Sequence, residues 1–122
     1  MKIATYMIGG ADFARLILAG YEMIDITVGS NPEHPLAPTW ELVNGYRRGL
    51  LTEENYTVQY AELLLERWTE VDGFLGHIAG MDVALGCYCR PGDFCHRLLV
   101  ADWMVDYYVV NYGQIVDWEI RK

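Results

Sequence analysis

Residues Cys87 to Arg97 read Cys-Tyr-Cys-Arg-Pro-Gly-Asp-Phe-Cys-His-Arg, and this stretch holds all three cysteines of the chain, one of its three histidines and two arginines. Thiols supply a nucleophile, a redox couple or metal ligands. An imidazole supplies acid or base, and guanidinium groups hold anions. An apolar run, Val83-Ala84-Leu85-Gly86, precedes the stretch, and a second, Leu98-Leu99-Val100-Ala101, follows it. That order predicts a strand, a Pro-Gly turn and a helix opened by Asp93 as N-cap, with Cys95 and His96 in its first turn. Free N–H groups and the positive dipole end of such a helix favour a phosphate or carboxylate, and Arg90 and Arg97 add charge nearby. The same field favours a thiolate over a thiol. If the site is catalytic, Cys87 or Cys95 is the nucleophile candidate, His96 the acid or base and Arg97 the anion holder. Arg90, Asp93, Tyr88 and Arg47 complete the candidate ligand contacts.

Competing chemistries fit the spacing less well. Five residues after Cys89 the chain has Cys95, not the Arg of a Cys-x5-Arg phosphate loop. An N-cap carboxylate at Asp93 would compete with a bound anion. Cys87, Cys89, Cys95 and His96 form a Cys3His set of the kind tetrahedral zinc takes, but four ligands within ten residues are cramped, so neither a metal nor another cofactor is expected. A disulfide switch between Cys95 and Cys87 or Cys89 is a further alternative. In the purely structural reading, Cys87 and Cys95 are small buried hydrophobes while His96 and Arg97 tie carbonyls and carboxylates at the sheet end.

The elements that position these residues follow from periodicity and turn chemistry. Lys2 to Ile8 reads as a strand ended by Gly9-Gly10, Ala11 to Ala19 as a short helix, and Glu22 to Val28 as a second strand. Gly29 to Pro38 holds three of the four prolines and is expected to be loop, with His34 placed where a lid could lie. Thr39 to Leu50 is expected to be helical. A long helix is expected from Glu53 to about Val71, with Thr52 as N-cap and an apolar stripe through Tyr60, Ala61, Leu64, Leu65 and Trp68. A short helix over Phe74 to Ala79, a strand over Asp82 to Cys89, a last helix from Phe94 to about Val110 and a final strand over Gln114 to Glu119 complete the reading. Strands separated by helices predict an α/β fold: one three-layer domain over residues 1–122, with a small, largely parallel sheet of about four strands flanked by helices. Ligands in such folds sit beyond the carboxyl ends of the strands, where the cysteine motif falls.

Composition narrows the partners. The chain has 122 residues, 52% of them hydrophobic, and nine Tyr and four Trp, enough for a real core. A net charge of −8 opposes a broad grip on duplex nucleic acid or on an anionic membrane surface, but leaves room for a small anionic ligand held by local cations. Leu98 to Val110 is broken by Asp102 and Asp106 and is too short to span a bilayer. The start has no signal-peptide core, so a cytoplasmic location is expected, where clustered cysteines are thiols or ligands rather than a structural disulfide. The Glu53, Glu54, Glu62, Glu66 and Glu70 series reads as a solvated helix face. Trp40, Tyr46, Tyr88 and Phe94 are either core aromatics or stacking surfaces for a base.

The run Leu85 to Arg97, followed by Leu99-Val100-Ala101, resembles the signature of the domain-of-unknown-function family 488, found in bacteria and their phages. That signature is a strand ending in Cys, a short acidic or Pro-containing turn, then Cys-His-Arg opening a helix. Leu36-Ala37-Pro38 and the Tyr56 to Tyr60 segment are similar to phage-type members, so the resemblance covers most of the chain. It rests on Cys87, Cys95, His96 and Arg97. At Cys89 the chain departs from many relatives, which carry Glu there. The resemblance implies a fold and a site without a settled reaction. The expected function is binding of a small anionic ligand, a nucleotide or nucleoside derivative, at this Cys/His/Arg site, and whether the site is that of a cysteine-dependent enzyme is left open. The alternative is a non-catalytic interaction or ligand-sequestering module. The sequence leaves the oligomeric state open.

Overall fold

The computed structural model describes residues 1–89 and 93–119. The sheet is built from β1 (Lys2–Met7), β2 (Glu22–Asp25), β3 (Val83–Cys87) and the short β4 (Asp117–Glu119), all parallel, in the order β2-β3-β1-β4. The helices are α1 (Asp12–Leu18), α2 (Trp40–Arg47), α3 (Glu53–Glu66), α4 (Trp68–His77) and α5 (His96–Tyr112). This is the α/β architecture that the alternation predicts. From β1 the chain steps to the β2 edge, then moves back the other way through β3 to β4. Right-handed crossovers in opposite directions must use opposite faces of a sheet. Accordingly α1 packs one face through Leu16 against Ala4, Tyr6 and Ala84, while α3, α4 and α5 cover the other through Tyr60, Leu64, Val71, Val100 and Met104 against Ile3, Val83 and Leu85.

Every residue of β3 is buried, which explains its unbroken apolar run: a central parallel strand has no solvent face. Gly86 belongs there for a steric reason. A Cβ at that position would lie 2.3 Å from Cζ of Tyr6, so only glycine lets the tyrosine ring of β1 lie across the end of β3. The ladder runs to the last residue of the strand, since Ile8 N–H donates to the Cys87 carbonyl at 2.8 Å.

Several element boundaries differ from the sequence expectation: β3 ends at Cys87 rather than Cys89, the final strand begins at Asp117 rather than Gln114, and three further elements differ as follows. The long helix expected over Glu53 to Val71 and the short one after it are instead α3 and α4, with a break at Arg67. There the side chain turns away to donate to the carbonyls of Ala37 at 2.7 Å and Pro35 at 3.4 Å, tying the proline-rich loop to the helix junction. The last helix does not start at Phe94 under an Asp93 cap. Cys95 is its N-cap residue, with extended backbone (φ −155°, ψ 145°) and no side-chain cap bond. The extended expectation for Glu22 to Val28 shortens to Glu22–Asp25, because the Asp25 carboxylate accepts from Thr27 N–H at 2.9 Å and from the Thr27 hydroxyl at 2.7 Å, turning the chain. Thr39 and Thr52 do cap α2 and α3, accepting from the Leu42 and Asn55 N–H groups. Among the described residues, no helix is long and apolar enough to cross a membrane.

Candidate functional site

A pocket of about 120 Å³ opens at the carboxyl ends of β2 and β3. Thr27, Val28 and Gly29 from the loop after β2 form one wall. Trp40, Val43, Tyr46 and Arg47 of α2 form a second, and Tyr56 of α3 a third. Cys87, Tyr88, Cys89, Phe94, Cys95 and His96 close it. The aromatic side is continuous: Tyr46 and Phe94 have centroids 5.1 Å apart, and Tyr56 and Phe94 5.4 Å. Aromatic and aliphatic surface thus surrounds a small cluster of reactive groups.

That cluster comes from two elements. β3 ends at Cys87 and α5 begins at His96, and parallel packing brings the two ends together. The sulfurs of Cys87, Cys89 and Cys95 all lie within 4.8 Å of one another, and those of Cys87 and Cys95 are 2.7 Å apart. Helical spacing places Arg97 on the same buried stripe of α5 as Val100, Ala101, Met104 and Tyr108. Its guanidinium is therefore fully buried, behind the cysteines rather than on the pocket wall. Arg97 Nη1 donates to Cys87 Sγ at 2.7 Å and to the Cys89 carbonyl at 2.9 Å, while its Nε and Nη2 have no hydrogen-bond partner among the described residues. Among the described residues no carboxylate pairs with it. The nearest groups able to balance this buried cation are the thiols.

The imidazole of His96 is also buried. Its Nε2 lies 2.9 Å from the Ile26 carbonyl, which can only accept, so Nε2 carries the proton and the neutral ring presents Nδ1 as an acceptor 3.6 Å from Cys95 Sγ. Burial pushes its pKa down to about 4, outweighing the pull of the Ile26 bond. The thiols titrate as one unit. Hydrogen bonds from Cys87 and then Cys95 hold Cys89 well below the usual thiol value. The bond to Cys87, the bond to Cys89 and burial hold Cys95 well above it. The bond to Cys89 and burial also raise Cys87, against the bond to Cys95 and the Arg97 charge.

Most sequence-predicted residues meet here. Cys87, Cys95, His96 and Arg97 converge, and Tyr88 and Arg47 lie on the wall, both exposed. Cys89 joins the cluster although the sequence reading left it out of the catalytic and ligand-binding residues. Asp93 is exposed and neither caps α5 nor lines the pocket. Arg90 lies outside the described residues. His34 is not a lid: its ring packs edge-on against Phe74 at 4.5 Å and its Nδ1 accepts from Leu36 N–H. Sequence reasoning missed Thr27 and Tyr56. The Asp25-x-Thr27 pattern of a side-chain-stabilised turn was the available signal for the first.

The sequence profile described as "Active DUF488-N3 subclade" matches residues 33–108, more than half of the chain. The chain belongs to the DUF488 family. The match takes in α2, α3, α4, β3 and all of the thiol cluster, and ends within α5. No curated protein and no solved structure matches this DUF488 chain.

Three thiolates with His96 Nδ1 make a donor set that a soft metal could take. The 2.7 Å between two of the sulfurs is short for it, since sulfurs about 2.3 Å from a tetrahedral zinc stand well over 3 Å apart. In this DUF488 protein Arg97 already donates to one of these sulfurs, Cys87 Sγ.

Proposed function

We propose that the pocket is the active site of a cysteine-dependent enzyme acting on a small ligand that carries both a planar ring and an anionic group, a nucleotide or nucleoside derivative. The observation that carries this reading is the fully buried Arg97 guanidinium, 2.7 Å from Cys87 Sγ and without a carboxylate partner among the described residues. A buried, unpaired charge costs several kcal/mol, so a thiolate is the state of the cluster consistent with a stable fold. The remaining roles follow from position. His96 Nδ1 exchanges a proton with Cys95. Trp40, Tyr46 and Phe94 offer faces to a ring, and the pocket's size suits a single ring system rather than a whole nucleotide. Arg47, exposed on the wall, would meet a phosphate left at the rim.

The test is ligand-dependent protection. Nucleosides, nucleoside monophosphates and inorganic phosphate are added separately while the thermal midpoint and the rate of alkylation by iodoacetamide are recorded. A mononucleotide that raises the midpoint and slows alkylation supports the reading, and phosphate alone should do neither well. If no compound shifts the midpoint, and alkylation slows tenfold per pH unit on acidification as for an ordinary thiol, the cluster is scaffold and the non-catalytic alternative stands.

A further inference from the structure

We infer that Cys89 Sγ is the atom of the cluster that bonds to the ligand, the attacking thiolate for an electrophilic carbon on the ring held in the pocket, with Cys87 and Cys95 as positioning residues. This rests on the thiolate reading above and names the sulfur that reading leaves open. The sequence pointed instead to Cys87 or Cys95, and the geometry tells against both. Cys87 is 1% exposed and its sulfur is hemmed in by Cys95 Sγ at 2.7 Å, Arg97 Nη1 at 2.7 Å and the Cys89 N–H at 3.4 Å. Cys95 is 3% exposed and lies between Cys87 and His96 Nδ1. A nucleophile needs a lone pair along an open path, and these two sulfurs face each other.

Cys89 lies two residues beyond Cys87, past the end of the strand, part-exposed and on the pocket wall. Both its backbone polar groups are fixed: its N–H donates to Cys87 Sγ and its carbonyl accepts from Arg97 at 2.9 Å. The main chain is pinned, and of the three cysteines Cys89 alone is part-exposed, which is the support and access a reacting group requires. The two neighbouring sulfurs stand within 4.8 Å of it. In the step, the Cys89 lone pair forms an S–C bond while the bond from that carbon to its leaving group breaks, and the leaving group departs with that electron pair. Cys95 S–H, beside His96, can then protonate it.

Iodoacetamide reproduces this step, with iodide as the leaving group. The full chain is treated with less than one equivalent across pH 6 to 8 and the label is mapped by peptide mass spectrometry, in parallel with Cys87→Ser, Cys89→Ser and Cys95→Ser. The expected result is label on Cys89 at a rate nearly flat with pH, because a thiolate already formed gains nothing from added base, whereas a thiol of pKa about 8.5 slows tenfold per unit below it. The pH profile is the readout rather than the rate alone, since a low-pKa thiolate is also intrinsically less nucleophilic. Cys89→Ser should abolish the flat phase, and Cys95→Ser should keep the label on Cys89. A flat profile with the label on Cys87 or Cys95 overturns this assignment and leaves the thiolate reading intact. An ordinary thiol profile at all three overturns both. So does labelling that becomes fast only after a chelator has removed a metal ion.

Discussion

Two hollows among the described residues differ in their chemistry: the thiol pocket at the ends of β2 and β3, and a larger groove between α3, α4 and α5 that carries no cluster of reactive groups. The groove between those helices measures about 250 Å³ and is lined by Leu36, Leu64, Trp68, Val71, Val100, Trp103 and Met104. Its one ionisable group, Tyr107, turns its hydroxyl to Asp72 at 2.5 Å. The thiol pocket is half that volume yet gathers three thiols and a neutral imidazole on its walls, with a guanidinium behind them. Filling a fold with hydrocarbon is the cheap solution, and burying polar groups is the expensive one. Where a chain of this size keeps several at one place, packing alone does not explain them. The contrast separates residues that only hold the fold from residues that also set the chemistry of the pocket, and substitution on each side should show different signatures in stability and in thiol reactivity.

The largest effect should come from the groove. Met104 is 1% exposed and packs α5 on the sheet, so Met104→Ala should lower unfolding free energy by about 2–5 kcal/mol through lost burial and a cavity. Its alkylation profile should match the wild type below the unfolding transition. A changed profile in that variant would mean the two hollows are coupled.

Next in size is a pH effect belonging to the thiol pocket. Burial pushes the His96 pKa down to about 4, while an unfolded histidine titrates near 6.5. Between those values the unfolded chain binds a proton that the folded chain refuses, so acidification through the window favours unfolding. The full loss is on the order of 3 kcal/mol, at about 1.4 kcal/mol per unit. His34, also lowered by burial, acts in the same direction. Asp25, held below the ordinary carboxylate value, loses its contribution only at more acidic pH. Denaturant titrations from pH 7 to 4 should show a clearly shallower slope for His96→Gln, which keeps an N–H for the Ile26 carbonyl. An unchanged slope would show that His96 is not the group held neutral.

Arg97 sharpens the comparison because it lies on the core stripe of α5 yet serves the pocket. Arg97→Met leaves the Cys89 carbonyl without its donor and should cost about 1–3 kcal/mol of stability. It should also convert the flat alkylation profile to that of an ordinary thiol, with a loss of roughly tenfold or more near pH 6, since a charge-assisted contact is worth about 1.5–3 kcal/mol. A variant that loses stability but keeps the flat profile would show that Arg97 is not the counter-charge.

How much of this was readable in advance depends on whether the cause was local. The Thr52 cap, the buried run of β3, the strand before the cysteines with the helix after them, and the α/β class all follow from short-range rules, and the chain obeys them; the expected Pro91-Gly92 turn lies outside the described residues. The break at Arg67 does not, because its cause is a pair of carbonyls at Pro35 and Ala37 that only the fold brings near. The start of α5 was misplaced for the same reason. Asp93 is the better N-cap by type, but the Cys95 sulfur faces Cys87, and that contact carries the extended residue one turn-step later than capping preference would. Arg97 was legible as a motif residue but not as a buried one, although its spacing from Val100, Ala101 and Met104 marks the inward stripe.

The smallest expected effect tests whether the pocket wall is an independent part. Thr39 and Thr52 are equivalent caps by chemistry, each accepting from the N–H three residues on, at 3.3 and 3.1 Å. Replacing either with Ala should cost about 1 kcal/mol. Their positions differ: Thr39 opens α2, whose Trp40, Val43, Tyr46 and Arg47 form the pocket wall, whereas Thr52 opens the long α3, which reaches the pocket through Tyr56 alone. A frayed α2 should loosen the faces a ring would stack on. Thr39→Ala should therefore weaken protection of the thiol by a mononucleotide several-fold, while Thr52→Ala, at equal loss of stability, should leave it nearly unchanged. Equal protection in the two variants would mean that α2 is not a ligand wall, and that the ring, if bound, rests on Tyr56 and Phe94 instead.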